Sequence, residues 1–351
     1  MKANIKHFRD VLQSTIIPED LSQEEAMPLY HKLCQTVDTI IPPRLFRYRE
    51  CSEMQVDAFD RDLIFASSAD KFNDPYDCLL RFDKNFLFDS INRGASKEAI
   101  LDLRDYLLQG NPMPEWLERL YGEKRASLLR DALIKATDDE IDKHNREFAL
   151  SRSEFDSIIE RLITNAVNFF RQNSHVACFS ETVKSVTMWS HYAKSHTGFV
   201  LEYDLRNLTI KCDHCAQKED CPNRMITSLY PVLYTKKRYD ATSFVDYYLG
   251  RSFTLTPTLD DTLFFKKAAL YKSQQWAYEK EWRMFMNKVG GAVGLSCLTA
   301  EVKPKAIYYG SSISPINKKI LSTIAKEKGI KEYQMYVDLQ SEEYSMKYRK
   351  M

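Results

Sequence analysis

Glycine is scarce in this chain, with 10 among 351 residues. Loops that cradle phosphate need closely spaced glycines, and neither G-x-x-x-x-G-K-[S/T] nor G-x-G-x-x-G occurs. The usual nucleotide-binding loops are thereby excluded. No apolar run approaches the roughly 18 residues that a membrane-spanning helix needs, so none is expected. An excess of one charge is lacking too: 50 basic residues face 49 acidic ones, which leaves no overall field to gather a polyanion such as nucleic acid. The first residues, MKANIKHFRDVLQ, hold no apolar core of a secretory leader. Eight cysteines without such a leader fit a reducing, cytoplasmic compartment with thiols free or on metal.

What the chain has in quantity is aromatic, 20 Tyr and 19 Phe. With 44% hydrophobic and 28% charged residues it has the proportions of a globular protein long enough to bury a sizeable core. Residues 1–43 read as a helical preface in which Phe8, Val11 and Leu12 form one stripe and Pro42-Pro43 mark the end. RLFRYRE and the segment from Leu63 to Ala66 read as strands, followed by a polar loop with a turn at Asn73-Asp74-Pro75. Residues 84–174 change to long charged helices, broken at Gly110-Asn111-Pro112, and are expected to sit at the periphery of a sheet. The stretch from His175 to Asp204 reads as strand, short helix and strand, with Ser185 or Thr187 as helix cap and Gly198 in the turn out. After a Cys-rich insert at 208–225 come the strand YPVLYTK and a helix from about 260 to 272. The alternation in QQWAYEKEWRMFMNK predicts a strand with Trp276, Tyr278 and Trp282 on one face and Glu279, Glu281 and Arg283 on the other. KAIYYG, SPINKKILSTIAKEKG and YQMYVDLQ give strand, helix and strand. The expected class is α+β, with a mixed β-sheet core across 44–345.

Several groups carry chemistry. On a strand, Glu279 and Glu281 point to one side about 7 Å apart; paired carboxylates can stabilise an oxocarbenium-like centre while one activates a nucleophile. The competing reading is a solvated face. In LFRYRE, Arg47 and Arg49 share a face and suit a phosphate or carboxylate, with Tyr48 between them. Asn73, Asp74 and Asp77 offer oxygen ligands for a hard cation, or Asx-turn chemistry that shapes a loop at the pocket edge, where Asn73 would bond a ligand. His191 and His196 lie about 140° apart around a helix, too far for one metal; His196 is the candidate general base. Trp189 and Tyr192 would stack on a flat ring or fill the core. Cys212, Cys215 and Cys221, with His214 among them, have the spacing of a structural metal site, zinc first and an iron–sulfur cluster second.

Seven pieces, LFRYRE, FNDPYDC, CFSE, MWSHYAKSHTGFVLEYD, VLYTK, WAYEKEWR and AIYYGS, together resemble the bacterial domain of unknown function 2971 family, over roughly 44–340. A weaker resemblance is to the ADP-ribosyltransferase fold. It implies an NAD-binding Arg on a first strand (Arg47), a Ser on a second (Ser67) and a catalytic Glu on a later one, with Glu279-x-Glu281 in that place. The leading expectation from that resemblance is an NAD-consuming transferase or glycohydrolase of bacterial stress or phage defence, acting on a protein or nucleic-acid acceptor. The alternative is a non-catalytic ligand-sensing or interaction module that uses the same pocket, for which a small nucleotide is one candidate ligand. A nucleic-acid-acting protein, supported by the Cys insert and Lys236–Asp240, is third and is opposed by the neutral net charge.

Overall fold

The computed structural model describes the chain outside residues 1, 19–20, 95, 115–117, 119–122, 149–151, 207–224, 247–260, 289–296 and 343. Its centre is a mixed sheet that forks. One half runs β12 (Met346–Lys350), β11 (Lys331–Val337), β10 (Ala306–Tyr309), β4 (Phe199–Tyr203) and β1 (Leu45–Arg49). The other runs β9 (Cys297–Glu301), β2 (Leu63–Ser68), β3 (His175–Ser180), β8 (Glu281–Lys288) and β5 (Met225–Pro231). Within these halves the β10–β11 pair alone is parallel, and a separate parallel pair joins β6 (Leu233–Thr235) to β7 (Tyr271–Ser273). The class is α+β, as the segment pattern predicts. Strands β9, CLTAE, and β12, MKYRK, escaped that pattern; each is only five residues long.

The fork has a simple cause. Strand β8 lines one edge of β3 from His175 to Ser180. The other edge is shared, with β2 at the His175 end and β1 at the Ser180 end through Phe46↔Ser180. Between β1 and β2 the Arg47 guanidinium donates to the Phe65 carbonyl.

Alternation along β1, β4 and β10 sorts the layers. Phe46, Tyr48, Val200 and Tyr308 pack on one face with Met188 and Trp189 of the helix Val186–Tyr192. Leu45, Phe199, Leu201 and Ile307 face the other way, toward Phe59 of the helix Glu53–Asp60 and Leu321 of the helix Pro315–Glu327. The preface helix Lys2–Ser14 adds Phe8, Val11 and Leu12 to this larger core. Helices between 84 and 173 hold a small core of their own, Leu103, Leu107, Met113 and Ala126. Val167 and Phe170, at the end of the helix Arg152–Asn173, join the main core instead.

The helix Val186–Tyr192 is short, so packing and caps must hold it. Ser185 accepts from Met188 N at 3.3 Å, the cap expected of it. Trp189 is fully buried, edge-on to Tyr48, and donates to the Val183 carbonyl at 2.7 Å. At about 25 cal/mol per Å2, roughly 200 Å2 of buried indole contributes about 5 kcal/mol. Beyond it Lys194, Ser195 and His196 are all left-handed, at φ 46°, 53° and 65°, which costs about 1–2 kcal/mol each. Backbone bonds offset this: His196 N to Trp189 O at 3.1 Å, Gly198 N to Ala193 O at 2.9 Å and Ser312 N to His196 O at 3.0 Å. A Cβ at Gly198 would lie 2.1 Å from Arg49 O, and one at Gly310 would lie 2.1 Å from His196 O. Backbone approach is why glycine stands at both positions.

Candidate functional site

A cleft of about 370 Å3 opens where the two halves of the sheet meet. Strand β1 supplies Phe46, Tyr48 and Arg49, strand β3 Cys178 and Ser180, and strand β8 Glu281. The loop after β2 brings Lys71, Phe72, Asn73 and Asp77, and the helix Val186–Tyr192 brings Met188, His191 and Tyr192. Lys272 of β7 and Glu279 close the inner end.

That inner end is a buried ion cluster. Lys272 Nζ lies 2.6 Å from Glu279 Oε2, 2.9 Å from Glu281 Oε2 and 3.6 Å from Asp77 Oδ2. Arg283, fully buried, is bidentate to Asp77 at 2.8 and 2.5 Å and donates from Nε to Glu281 at 2.8 Å. Three carboxylates thus surround two cations, with one negative charge in excess. Tyr192 donates to Glu279 Oε1 at 2.5 Å, and the Asn73 amide donates to the Tyr192 hydroxyl at 3.2 Å.

The two glutamates are not equivalent. Burial alone would raise Glu281, but Arg283 and Lys272 outweigh it and hold the carboxyl well below its ordinary value. Glu281 is a fixed anion. For Glu279 burial is the largest influence, and Lys272 and Tyr192 only partly oppose it, so its pKa is raised. Burial therefore favours the protonated form of Glu279 more than that of Glu281. Burial pushes Lys272 down, yet Glu281, Asp77 and Glu279 reverse that and keep it charged. Burial also drives the Cys178 thiol well above its ordinary range, so it is no thiolate nucleophile at neutral pH.

Of the residues singled out in the sequence, Glu279, Glu281, Tyr48, Arg49, Asn73, Asp77, Tyr192 and His191 line this cleft. The strand expected to present both glutamates is in fact interrupted. Gln274–Glu279 is a 3-10 turn, Lys280 is left-handed, and β8 begins at Glu281; the carboxylates meet through Lys272, across a turn. Four candidates lie elsewhere. Arg47 pairs with Leu201 in register and lies over the Phe179 ring, on the face away from Phe46 and Tyr48. Ser67 sits at the β2–β9 pairing, opposite Cys297. Trp189 is core, with its indole N–H already satisfied by the Val183 carbonyl. His196 stacks on Trp189, with Nε2 3.2 Å from the Ser190 hydroxyl; burial lowers its pKa, and it holds a backbone turn. Asp74 accepts from Tyr76 N at 2.9 Å, the Asx turn expected of that loop. Cys212, His214, Cys215 and Cys221 lie outside the described residues. Among the described residues no group of three or more His, Cys, Asp or Glu is placed to hold a metal.

Sequence reading missed Lys272 and the ionic role of Asp77 and Arg283. A usable signal was present for Arg283: one charge inside the apolar run WRMFM marks a buried ion that must be paired. Nothing marked Lys272 in LYKSQ. Residues 188–284 match the model of a family described as protein of unknown function (DUF2971). The match is confined to that segment, a little over a quarter of the chain. The segment contributes Met188, His191, Tyr192, Lys272, Glu279 and Glu281 to the cleft, with Arg283 behind them. The matched segment therefore supplies most of the inner wall, while Tyr48 and the loop 71–77 come from the chain before it. No curated protein and no solved structure matches the chain. Nor is any helix among the described residues long and apolar enough to cross a membrane.

Proposed function

We propose that the chain works by binding a small, flat, nucleotide-type ligand in this cleft, with Glu279 as its proton-exchanging group. One observation carries the reading: five separate parts of the chain deliver aromatic and charged side chains to a single cleft, which ends on five buried ionisable groups. Such a cluster is a poor way to gain stability, because apolar residues of similar volume do as well or better. Perturbed carboxylates in a cleft are typical of sites that bind or transform a ligand. Phe46, Tyr48, Phe72 and Tyr192 supply the apolar walls, and Asn73, Tyr192 and Glu279 supply the polar groups that orient a ligand.

The second reading, an NAD-consuming transferase or glycohydrolase, is favoured by the raised pKa of Glu279 beside the Tyr192 hydroxyl. In it Glu279, whose pKa is raised where that of Glu281 is lowered, faces the ribose carbon as the nicotinamide bond breaks, and it activates the acceptor oxygen by taking its proton. Arg49 and Lys71, which line the cleft where Arg47 does not, would face the phosphates. Incubation of the purified protein with NAD, followed by chromatography for nicotinamide and by ligand-observed NMR, tests both readings. Nicotinamide release that disappears in Glu279→Gln supports the enzyme. Binding without release leaves the binding module. Neither NAD nor any other nucleotide bound in the cleft removes both.

A further inference from the structure

The charged groups of the cleft are divided by depth. Asp77, Glu279 and Glu281 are buried at the inner end, whereas Lys71 and His191 are exposed on the lining and Arg49 is half-buried. Among the described residues neither Arg49 nor Lys71 is in an ion pair; Arg49 donates only to its neighbour's carbonyl, Tyr48 O, at 2.9 Å. The cleft therefore has an acceptor-rich floor, aromatic walls and a cationic lip. Its volume of about 370 Å3 is at the small end of ligand pockets, about 300–1,000 Å3.

We infer that the cleft selects a nucleoside monophosphate with a guanine-type base, the base edge on Glu279 and the phosphate at Lys71 and Arg49. The inference rests on the reading of the cleft as a ligand site. Each oxygen of Glu279 already accepts one bond, Oε1 from Tyr192 and Oε2 from Lys272. A carboxylate has about four acceptor positions, so two remain, one on each oxygen. Two adjacent N–H donors fit that remainder, and guanine presents them as its ring N1–H and its exocyclic amine. Adenine presents an unprotonated ring nitrogen at the corresponding position, a lone pair against a carboxylate. The lip carries the phosphate because Lys71 and Arg49 are exposed enough to move onto it and have no acid to leave. The charge of Glu279 decides the base: ionised, it accepts two donors; protonated, it keeps one fewer position to accept. Burial raises its pKa above the ordinary carboxylate value, so acidification moves it toward the protonated form.

Calorimetric and ligand-observed NMR titrations of the full chain with guanosine monophosphate, adenosine monophosphate, guanosine and benzamidine test this. Benzamidine is a flat cation that offers two parallel N–H groups to any accessible carboxylate, so it reports on the cleft independently of nucleotide chemistry. At pH 7.5 guanosine monophosphate should bind at least tenfold tighter than adenosine monophosphate, and at least tenfold tighter than guanosine. Glu279→Gln should abolish the first difference, and Lys71→Ala, at an exposed position, should narrow the second. Lowering the pH to 5 should narrow the first difference in the wild type, which keeps the inference testable should Glu279→Gln fail to fold. Equal or tighter binding of adenosine monophosphate overturns the inference. So does benzamidine binding with neither nucleotide bound, an outcome that leaves the cleft a ligand site. If none of the four binds, the inference and the functional reading fall together.

Discussion

Replacing Arg283 with methionine removes one of only two cations that hold three buried carboxylates. Arg283 is fully buried, and its loss leaves Asp77, to which it is bidentate, and Glu281 with Lys272 alone, 3.6 and 2.9 Å away. Breaking a buried pair by deleting one partner costs about 3–5 kcal/mol. The dependence on pH gives a second signature. In the wild type the folded-state pKa of Glu281 lies below its ordinary 4.5, so its contribution is full above that value and is lost as pH falls toward the folded pKa. In Arg283→Met one of the two cations that oppose burial is gone, and the folded pKa should rise above the unfolded one. The contribution of Glu281 is then full below about 4.5 and is lost as pH rises through the new folded pKa. The penalty should therefore be greater at pH 7 than at pH 5. Urea unfolding followed by the fluorescence of the buried Trp189 and Trp282 measures it at both pH values. A penalty under about 1 kcal/mol at pH 7, or one that grows toward pH 5, would refute the account of the cluster.

Three further perturbations separate scaffold from site. Arg47→Met should leave ligand binding within twofold and change stability by no more than about 2 kcal/mol, since the bond lost to Phe65 O opposes relief of a buried cation without a carboxylate; a titration and a urea curve check both. Gly198→Ala forces a Cβ to 2.1 Å from Arg49 O and should cost about 3 kcal/mol; Gly110→Ala, where φ is +85° but nothing lies within 4 Å, should cost about 1 kcal/mol by thermal melting. The insert carrying Cys212, Cys215 and Cys221 should hold about one zinc or iron per chain. Elemental analysis before and after chelation checks this, and three freely titratable thiols in metal-free protein would refute it.

What the sequence shows of this molecule follows from how far each signal reaches. The strand–helix–strand unit is legible because Ser185, the apolar positions of the helix and Gly198 are all local. The class of fold is legible for the same reason, through repeated short strands and capped helices. The fork in the sheet is not, since two strands sharing one edge of β3 is a matter of long-range pairing. Alternation correctly puts Arg47 opposite in sense to Phe46 and Tyr48, but it carries no sign to say which face is the cleft. Glu279 and Glu281 are legible as a pair, although the left-handed Lys280 makes them neighbours across a turn and not along a strand. Lys272 is invisible beforehand because its partners lie at positions 77, 279 and 281, and only folding brings them together.

The account stands on the cleft, and not the Arg47 face, being the place where the chain meets its ligand. Methionine-methyl NMR reads this directly, because Met188 lines the cleft, Met284 is buried in the core and Met54 lies exposed on the helix Glu53–Asp60. On addition of guanosine monophosphate, or of benzamidine should the nucleotide fail, the Met188 resonance should shift while those of Met284 and Met54 stay in place. A shift confined to Met54, or a bound ligand that leaves Met188 unmoved, would contradict it.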